Sequence, residues 1–139
     1  MIVTTIDREG RPHSSCKGLV KINKNGKAYL LDLYFRRTFE NLKHNPNISL
    51  TVFDEHKFKG YCLKGKAQIS GGKKPGKALS RAWEEMIAAR LTQRILKNVR
   101  GEKGHSRHPE SLLPSPRYLI AVAVEEVIDL TPAQLKEGA

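Results

Sequence analysis

The sequence predicts a mainly β fold with helices, in which about six antiparallel strands form a closed or partly closed barrel. Five short strand-like runs with brief turns between them fill the first half of the chain, and a sandwich of this size would need more strands. The hydrophobic period then becomes helical, which predicts a long helix. One unbroken apolar run near the end adds the last strand.

The first three strands are bounded by turn residues. Residues 2–6 alternate in polarity before the acidic, glycine-containing turn at 7–10. A second run, residues 13–22, leads to Asn25-Gly26, which predicts a hairpin because both residues tolerate a positive φ. The third run covers residues 27–33. Together these runs predict three consecutive antiparallel strands.

A short helix follows the third run, and two more strands come after it. Asn45-Pro46 ends this helix, because a residue before proline is forced out of the helical region. Residues 48–52 and 61–69 then alternate in polarity, as strands with one buried face do. Gly65 within the fifth strand suits a barrel corner.

The second half contains the predicted long helix and the last strand. From Ala78 to about Val99 apolar residues recur at helical spacing, and such a stripe usually contacts the core rather than a ligand. Residues 118–124 are continuously apolar, so we expect this strand to be covered on both faces, by core on one side and by a helix or a second subunit on the other. The stripe comprises Leu79, Trp83, Met86, Ile87, Leu91 and Ile95.

The composition and net charge of the chain favour anionic partners but do not identify one. With 139 residues, 39% of them apolar and 28% charged, the chain should fold as a single domain, 1–139, of a size that gains burial from dimerisation. The formal net charge of +11 favours anionic partners, namely phosphorylated cofactors, nucleic acid or acidic lipid. No apolar run is long enough to span a membrane and no secretory signal opens the chain, so we expect a cytoplasmic protein. Cys16 and Cys62 lie far apart, which favours reduced thiols over a metal site.

The most informative segment is the start of the short helix. Arg36, Arg37 and Thr38 place two guanidinium groups and a hydroxyl at its first turn. Together with the backbone N–H groups of a helix start, they supply what a bound phosphomonoester requires. The alternative is a solvated helix start with ordinary surface arginines.

A second phosphate-binding pattern, G-x-x-x-x-G-K, is present but incomplete. Residues 71–77 satisfy it between a predicted strand and a predicted helix. The next residue is Ala78, where the magnesium ligand requires a Ser or Thr hydroxyl, and no run of parallel βαβ units accompanies the pattern. It therefore predicts a glycine-rich turn rather than a nucleotide-binding loop.

Several separated segments share their order and spacing with one known family. They are Val3-Thr4-Thr5-Ile6-Asp7-Arg8-Glu9-Gly10-Arg11-Pro12-His13, Ala28-Tyr29-Leu30-Leu31-Asp32, Asn41-Leu42 with Asn45-Pro46 and Ser49-Leu50, and Gly60-Tyr61-Cys62-Leu63-Lys64-Gly65-Lys66-Ala67. In this order they resemble the flavin-binding split-barrel proteins of the pyridoxamine-phosphate-oxidase-like family, closely over residues 2–69 and loosely over 118–130. The resemblance implies an antiparallel split β-barrel of about six strands, with a short helix after strand three and a longer helix before the last strand.

The resemblance also implies FMN as the cofactor and three groups of contacts to it. Arg37 and Thr38, with Arg36 nearby, would hold its phosphate as a dianion. A group on the second strand would run beside the isoalloxazine ring, and a group at the end of the third strand would lie under the ribityl chain or the ring. The former is Ser15, Cys16, Lys17 and Gly18, and the latter is Leu31, Asp32, Leu33 and Tyr34.

Lys17 has two open interpretations. As a cation near the pyrimidine edge of the ring, it would stabilise the anionic reduced flavin and raise its potential. Alternatively, it is a lysine at the barrel rim that faces water.

The resulting hypothesis is an FMN-binding flavoprotein, a homodimer that transfers hydride or electrons between the flavin and a small-molecule substrate or electron donor. The C-terminal arginine-containing substrate motif of true pyridoxamine phosphate oxidases is not visible, so their vitamin oxidation is not expected. Two alternatives keep the fold, a deazaflavin-dependent enzyme and a non-catalytic flavin carrier. A third is a basic β-barrel that binds nucleic acid through a track of phosphate contacts. The track would comprise Arg81, Arg90, Arg94, Lys97, Arg100, Lys103 and Arg107.

Overall fold

The structure is a computed structural model, and it describes residues 1–32, 36–70, 76–101 and 117–136. Within these ranges the chain forms seven strands and three helices. In chain order they are β1 (Ile2–Ile6), β2 (Pro12–Cys16), β3 (Gly18–Ile22), β4 (Lys27–Asp32), α1 (Arg37–His44), β5 (Asn47–Asp54), β6 (Lys59–Ile69), α2 (Lys77–Val99), β7 (Tyr118–Asp129) and α3 (Ala133–Lys136).

The strands form one sheet in the order β2-β1-β5-β6-β7-β4-β3, with antiparallel pairing between neighbours. β2 and β3 lie at opposite edges of this sheet, although only Lys17 separates them in sequence. Two consecutive backbone links span about 7 Å at most, so the two edges must meet at Lys17. The sheet therefore curls into a barrel with a seam between β2 and β3, which confirms the predicted antiparallel split barrel.

The predicted second strand, residues 13–22, is in fact two strands. Up to Cys16 the chain pairs with β1, and from Gly18 it pairs with β4. The sequence carries no turn signal here, because a change of hydrogen-bonding partner requires no reversal of the chain. In the described part of the chain the strands therefore number seven rather than about six, and α1 follows the fourth strand rather than the third.

The core fills the inside of the barrel with alternate residues of the strands. Val3, Leu30, Leu50, Ile120 and Val122 are all buried. They come from four different strands, and side chains that alternate between the two faces of a strand place such residues on one face. The alternating sequence pattern thus predicted the inner face correctly.

Gly65 marks an irregularity in the pairing of β6 with β7. The register shifts between Lys64 and Gly65, and a Cβ on Gly65 would lie only 2.0 Å from the carbonyl oxygen of Ala123. Glycine is therefore required by the close approach of two backbones. This bulge agrees with the predicted bend of the strand at Gly65.

The long helix α2 packs mainly against β3. It begins at Lys77, one residue before the predicted start, and ends at Val99. The apolar stripe is half-buried in the first half of the helix, whereas Ile95 and Leu96 are 50% and 47% exposed. No helix within the described ranges is long and apolar enough to cross a membrane.

β7 is buried on its inner face and only partly covered on its outer face. Ile120 and Val122 are fully buried, whereas Ala121 is half-buried and Ala123 is exposed. Within the described part of this single chain the outer face is therefore only partly covered, and its cover by a second subunit stays a prediction. The outward positions here are small alanines, which made the run look uniformly buried in sequence.

Candidate functional site

A cleft of about 430 Å³ lies between the ends of β2 and β4 and the start of α1. We call it the central cleft. Seven of the predicted cofactor contacts line it. Of the others, Gly18 and Leu31 line a neighbouring cleft, and Leu33 and Tyr34 lie outside the described residues. Its lining residues are His13, Ser15, Cys16, Lys17, Asp32, Arg36, Arg37 and Thr38.

Helix α1 is anchored so that its first turn faces the central cleft. Asn41 is buried, and its side-chain amide donates a hydrogen bond to Thr5 Oγ1 of β1 at 3.0 Å. Phe39 packs edge-on against Tyr118 of β7, with 4.9 Å between the ring centroids. Contacts to two different strands therefore hold the helix start in place.

The first turn of α1 offers hydrogen-bond donors and positive charge. Its N-cap, Arg36, has an extended backbone and makes no side-chain cap hydrogen bond, so the first N–H groups of the helix receive no acceptor from the cap side chain. Thr38 is buried, and its Oγ1 lies 3.1 Å from Ser15 Oγ. Arg37 is exposed and forms no ion pair within the described ranges. Backbone N–H groups, two hydroxyls and a guanidinium thus converge at a place suited to an anion.

Lys17, Asp32 and Tyr118 form a buried polar network in the wall of the central cleft. Lys17 Nζ lies 2.9 Å from Asp32 Oδ1, and the two side chains are 11% and 3% exposed. The Tyr118 hydroxyl donates to the other carboxylate oxygen, Asp32 Oδ2. Burial, followed by the hydrogen bond to Asp32 and its negative charge, raises the pKa of Tyr118 well above its ordinary value, so this hydroxyl stays protonated as a donor.

This network overturns the interpretation of Lys17 as a lysine that faces water. The side chain is mostly covered and is directed at a buried carboxylate, and a buried charge is tolerated when an opposite charge accompanies it. The pairing was not visible in the sequence, because the two residues meet only where β3 pairs with β4, at Gly18 and Leu31. A role of Lys17 towards a flavin stays a prediction.

A second cleft of about 310 Å³ adjoins the central cleft, and we call it the helix cleft. The two clefts share Cys16, Lys17 and Asp32. Trp83, expected to be a core contact, instead lines this opening and is half-buried. The lining residues that the central cleft does not share are Met1, Gly18, Leu31, Trp83, Met86, Ile87 and Arg90.

Gly18 keeps the helix cleft open on the strand side. A Cβ at this position would lie 3.1 Å from the Met86 methyl carbon, Cε, which is tighter than an ordinary contact. The wall that α2 contributes follows the helical spacing i, i+3, i+4 and i+7 from Trp83. The sequence alone does not reveal this wall, because a helix face that packs on a core has the same spacing.

A third cleft of about 490 Å³ lies between the β1–β2 turn and α1, and we call it the turn cleft. It shares His13 and Arg37 with the central cleft. This cleft was not predictable from the sequence, because the turn and the helix are brought together only by the fold. The other lining residues are Asp7, Arg8, Glu9, Glu40, Asn41 and His44.

Within the described ranges, no group of three His, Cys, Asp or Glu side chains is placed to hold a metal ion.

Some predicted positions lie outside the described residues. Of the proposed nucleic-acid track, Arg81, Arg90 and Arg100 are described and exposed. The positions outside the description are Leu33, Tyr34, Lys103 and Arg107, together with the side chains of Arg94 and Lys97.

The sequence matches one protein family over most of its length. The family described as pyridoxamine 5'-phosphate oxidase matches residues 1–131. Among curated proteins, none matches the sequence significantly.

Solved structures share the fold at low sequence identity. HupZ of Group A Streptococcus has a TM-score of 0.60 and 18% identity, and the match covers 94% of this chain and 83% of that chain. A pyridoxamine 5'-phosphate oxidase-related, FMN-binding protein from Nostoc punctiforme has a TM-score of 0.56 and 13% identity, with coverage of 92% and 72%. An F420 reductase has a TM-score of 0.56 and 12% identity, with coverage of 91% and 86%. At these identities the similarity shows the fold alone.

Proposed function

The chain belongs to the pyridoxamine 5'-phosphate oxidase family, and on that basis we propose that it binds a phosphorylated flavin, FMN in the first instance, in the central and helix clefts. One observation carries the proposal. A single cleft, the central cleft, is lined by the hydroxyls, the guanidinium group and the helix-start N–H groups that a phosphate requires. It continues into the helix cleft, where the indole ring of Trp83 forms part of the wall. The FMN-binding relative from Nostoc punctiforme supports the choice of cofactor.

The phosphate end of the cofactor fits the central cleft. The hydroxyls of Ser15 and Thr38 are 3.1 Å apart, so both can reach one phosphate group, and Arg37 supplies a cation that has no ion pair within the described ranges. Hydrogen bonds to a charged group contribute roughly 1.5–3 kcal/mol each. Removing two of them should therefore weaken binding by about a hundredfold or more.

The ring end of the cofactor fits the helix cleft. Trp83 offers an aromatic face and Met86 a polarisable thioether, and both side chains favour contact with a flat aromatic ligand. Leu31 provides an apolar wall on the strand side. Lys17 and Asp32 lie where the two clefts join, so this charge pair would lie beside the ribityl chain or the polar edge of the ring.

We infer that the protein is an oxidoreductase acting on a small molecule. A bound flavin supplies hydride or electron transfer, so the protein itself needs few acid–base groups. Its own residues would bind the cofactor, orient the ring and cover it from water. A non-catalytic flavin carrier is the alternative, and turnover with a chemical or biological reductant separates the two. Cys16 and Cys62 are free thiols, which suits the proposed cytoplasmic location.

A deazaflavin is the second candidate cofactor. One structural relative is an F420 reductase. In addition, the turn cleft continues beyond the proposed phosphate position, where a longer cofactor tail would run.

We also propose that the protein is a homodimer in which a second copy covers apolar surface at one end of the barrel. Val52, Tyr61 and Val127 continue the inward-facing rows of β5, β6 and β7, yet they are 53%, 55% and 61% exposed. A stable interface buries about 800 Å² on each partner, and this surface offers apolar area for it. Analytical ultracentrifugation should show a dimer at micromolar concentration, and a monomer there would contradict the proposal.

The cofactor proposal is tested by the double variant Arg37→Ala with Thr38→Ala. FMN is titrated into the apoprotein and binding is followed by quenching of flavin fluorescence. The variant should lose affinity by about a hundredfold or more, because a cation and a hydroxyl donor are removed from the phosphate position. Its circular dichroism spectrum should match that of the wild type.

The matched control removes the same two residue types elsewhere. Arg81 and Thr92 are exposed on α2 and line none of the three clefts, so Arg81→Ala with Thr92→Ala should bind FMN like the wild type. Unchanged affinity in the Arg37 and Thr38 variant would remove the phosphate assignment. A protein that takes up no FMN, yet binds oligonucleotides with a steep salt dependence, would favour the nucleic-acid alternative.

A further inference from the structure

The helix cleft carries a positive charge that the proposed phosphate position does not use. The charged side chains of its lining are Lys17, Asp32 and Arg90. Lys17 and Asp32 are paired at 2.9 Å, so their charges compensate each other. Arg90 is exposed and forms no ion pair with a carboxylate in the part of the chain that the structure describes. The side chains of this cleft therefore leave one uncompensated cation, the Arg90 guanidinium.

Arg90 lies at one end of the wall that α2 contributes to the helix cleft. It follows Trp83 by seven positions, which is about 10 Å along the helix axis. Ile87 lies between them on the same face of the helix. Arg90 does not line the central cleft, so it is separate from the groups proposed to hold the cofactor phosphate.

The remaining wall of the helix cleft is mainly apolar. Leu31, Trp83, Met86 and Ile87 contribute aliphatic, aromatic and thioether surface, which favours contact with a flat, apolar ligand. A few polar groups in an apolar cleft fix the orientation of a bound molecule. The molecule that matches this lining is flat and apolar, with a negative charge at one end.

The surroundings of Arg90 suit a carboxylate better than a phosphate. Among the described lining residues of the helix cleft, none has a hydroxyl side chain. Arg90 is in the interior of α2, Lys77–Val99, where backbone N–H groups are bonded within the helix. The guanidinium group is therefore the donor available to an anion there, and its planar fork matches the two oxygens of a carboxylate. The central cleft, in contrast, offers hydroxyls and helix-start N–H groups as well.

We infer that Arg90 determines substrate specificity by binding a carboxylate, and that the substrate class is the flat aromatic or conjugated carboxylic acids. This inference rests on the proposed function and refines it, because a flavin ring in the helix cleft would lie beside such an acid. The body of the acid would contact Trp83 and Ile87. The cofactor and the substrate would thus use different cations, Arg37 for the phosphate and Arg90 for the carboxylate.

The experiment compares an acid with its uncharged amide. Cinnamate and cinnamamide, which share a flat conjugated body, are titrated into apoprotein and into FMN-loaded protein, and binding is measured by isothermal titration calorimetry. Both forms of the wild type should bind cinnamate about tenfold or more tightly than cinnamamide, because the acid adds hydrogen bonds between two charged groups. Equal affinity for the acid and the amide would overturn the inference and leave FMN binding standing.

Two variants of Arg90 separate charge from geometry. Arg90→Ala should lose the preference for cinnamate and bind FMN within about twofold of the wild type. Arg90→Lys should keep only part of the preference, since an ammonium group is a point charge without the planar fork. A loss of FMN affinity in Arg90→Ala as large as the loss of cinnamate affinity would assign Arg90 to the cofactor and overturn the inference.

Arg81→Ala is the matched control. Arg81 is an exposed arginine of the same helix and lines none of the three clefts, so its loss should leave the preference for cinnamate unchanged. An equal loss in Arg81→Ala would assign the preference to the net charge of the protein and overturn the inference.

The two forms of the protein distinguish this inference from the proposed function. Cinnamate that binds the apoprotein but not the FMN-loaded protein would show that acid and flavin compete for one place, which would overturn the substrate assignment. A protein that takes up no FMN would overturn the proposed function and with it the role of the acid as substrate. The preference measured on the apoprotein would then still show whether Arg90 binds a carboxylate.

Discussion

The two walls of the central cleft use charge in opposite ways. In the wall at the seam of the barrel, Lys17 and Asp32 are paired at 2.9 Å and almost fully buried. In the wall at the start of α1, Arg37 is exposed and forms no ion pair within the described ranges. A buried pair is satisfied by the fold itself, whereas an exposed cation gains from a ligand. We therefore expect changes at the Lys17–Asp32 pair to lower stability and changes at Arg37 to weaken ligand binding.

Removing the buried carboxylate should have the largest effect on folding. Asp32→Ala leaves Lys17 covered without an opposite charge, and breaking a buried pair from one side costs roughly 3–5 kcal/mol. Trp83 is the one tryptophan of the chain, so its fluorescence reports urea unfolding and hence the free energy of unfolding. A loss under about 1 kcal/mol, as an exposed pair would give, would mean that the two walls do not differ.

Tyr118→Phe should have an intermediate effect. The change removes the hydroxyl that donates to Asp32 Oδ2, and leaving a buried acceptor short of a donor costs roughly 1–3 kcal/mol. Urea unfolding at neutral pH gives this loss directly. A loss within about 0.5 kcal/mol, as is usual for an exposed side chain, would show that the hydroxyl is not part of the buried network.

The stability of Tyr118→Phe should also depend on pH differently from that of the wild type. The pKa of Tyr118 is raised in the folded protein, so the unfolded chain ionises first, near the ordinary value of about 10. The stability that depends on the protonated hydroxyl is therefore fully present below about pH 10 and is lost as the pH rises above it. Tyr118→Phe should lose stability less steeply than the wild type between about pH 9.5 and 11. Equal slopes would contradict a hydroxyl held protonated by the fold.

Arg37→Ala should have the smallest effect on folding. An exposed side chain without an ion pair can usually be removed at a cost within about 0.5 kcal/mol. The same urea measurement applies, and the variant should still lose affinity for a phosphorylated cofactor. A destabilisation as large as that of Asp32→Ala would assign Arg37 to the fold instead of to a ligand.

The elements of the fold were predictable where their signals are local. Asn25-Gly26 precedes β4 as a tight turn with Gly26 at φ 80°, and Asn45, before Pro46, is the C-cap of α1. The change of partner at Lys17 was not predictable in this way. It depends on the pairing of β2 with β1 and of β3 with β4, and the residues around it fit a continuous strand equally well.

In the candidate site, too, the residues that are neighbours in sequence were predictable as a group, and those that meet only in the fold were not. Arg36, Arg37 and Thr38 are neighbours in sequence, so their grouping at a helix start was visible from the chain alone. Their meeting with Ser15 was implied only by a family resemblance, since the two segments are brought together by tertiary contacts. Trp83 was assigned to the core, because spacing along a helix shows which residues share a face but not what that face meets.

The single-residue connection at Lys17 also bears on how the protein folds. β2 is placed through β1 and β5, whereas β3 is placed through β4 and β7, near the other end of the chain. Contacts between distant parts of a chain form slowly because closing a long loop costs entropy, so we expect the two edges to come together in a late step. A ligand bound across that junction would consequently raise the free energy of unfolding of the complete barrel. This stabilisation would apply to every strand instead of to one segment.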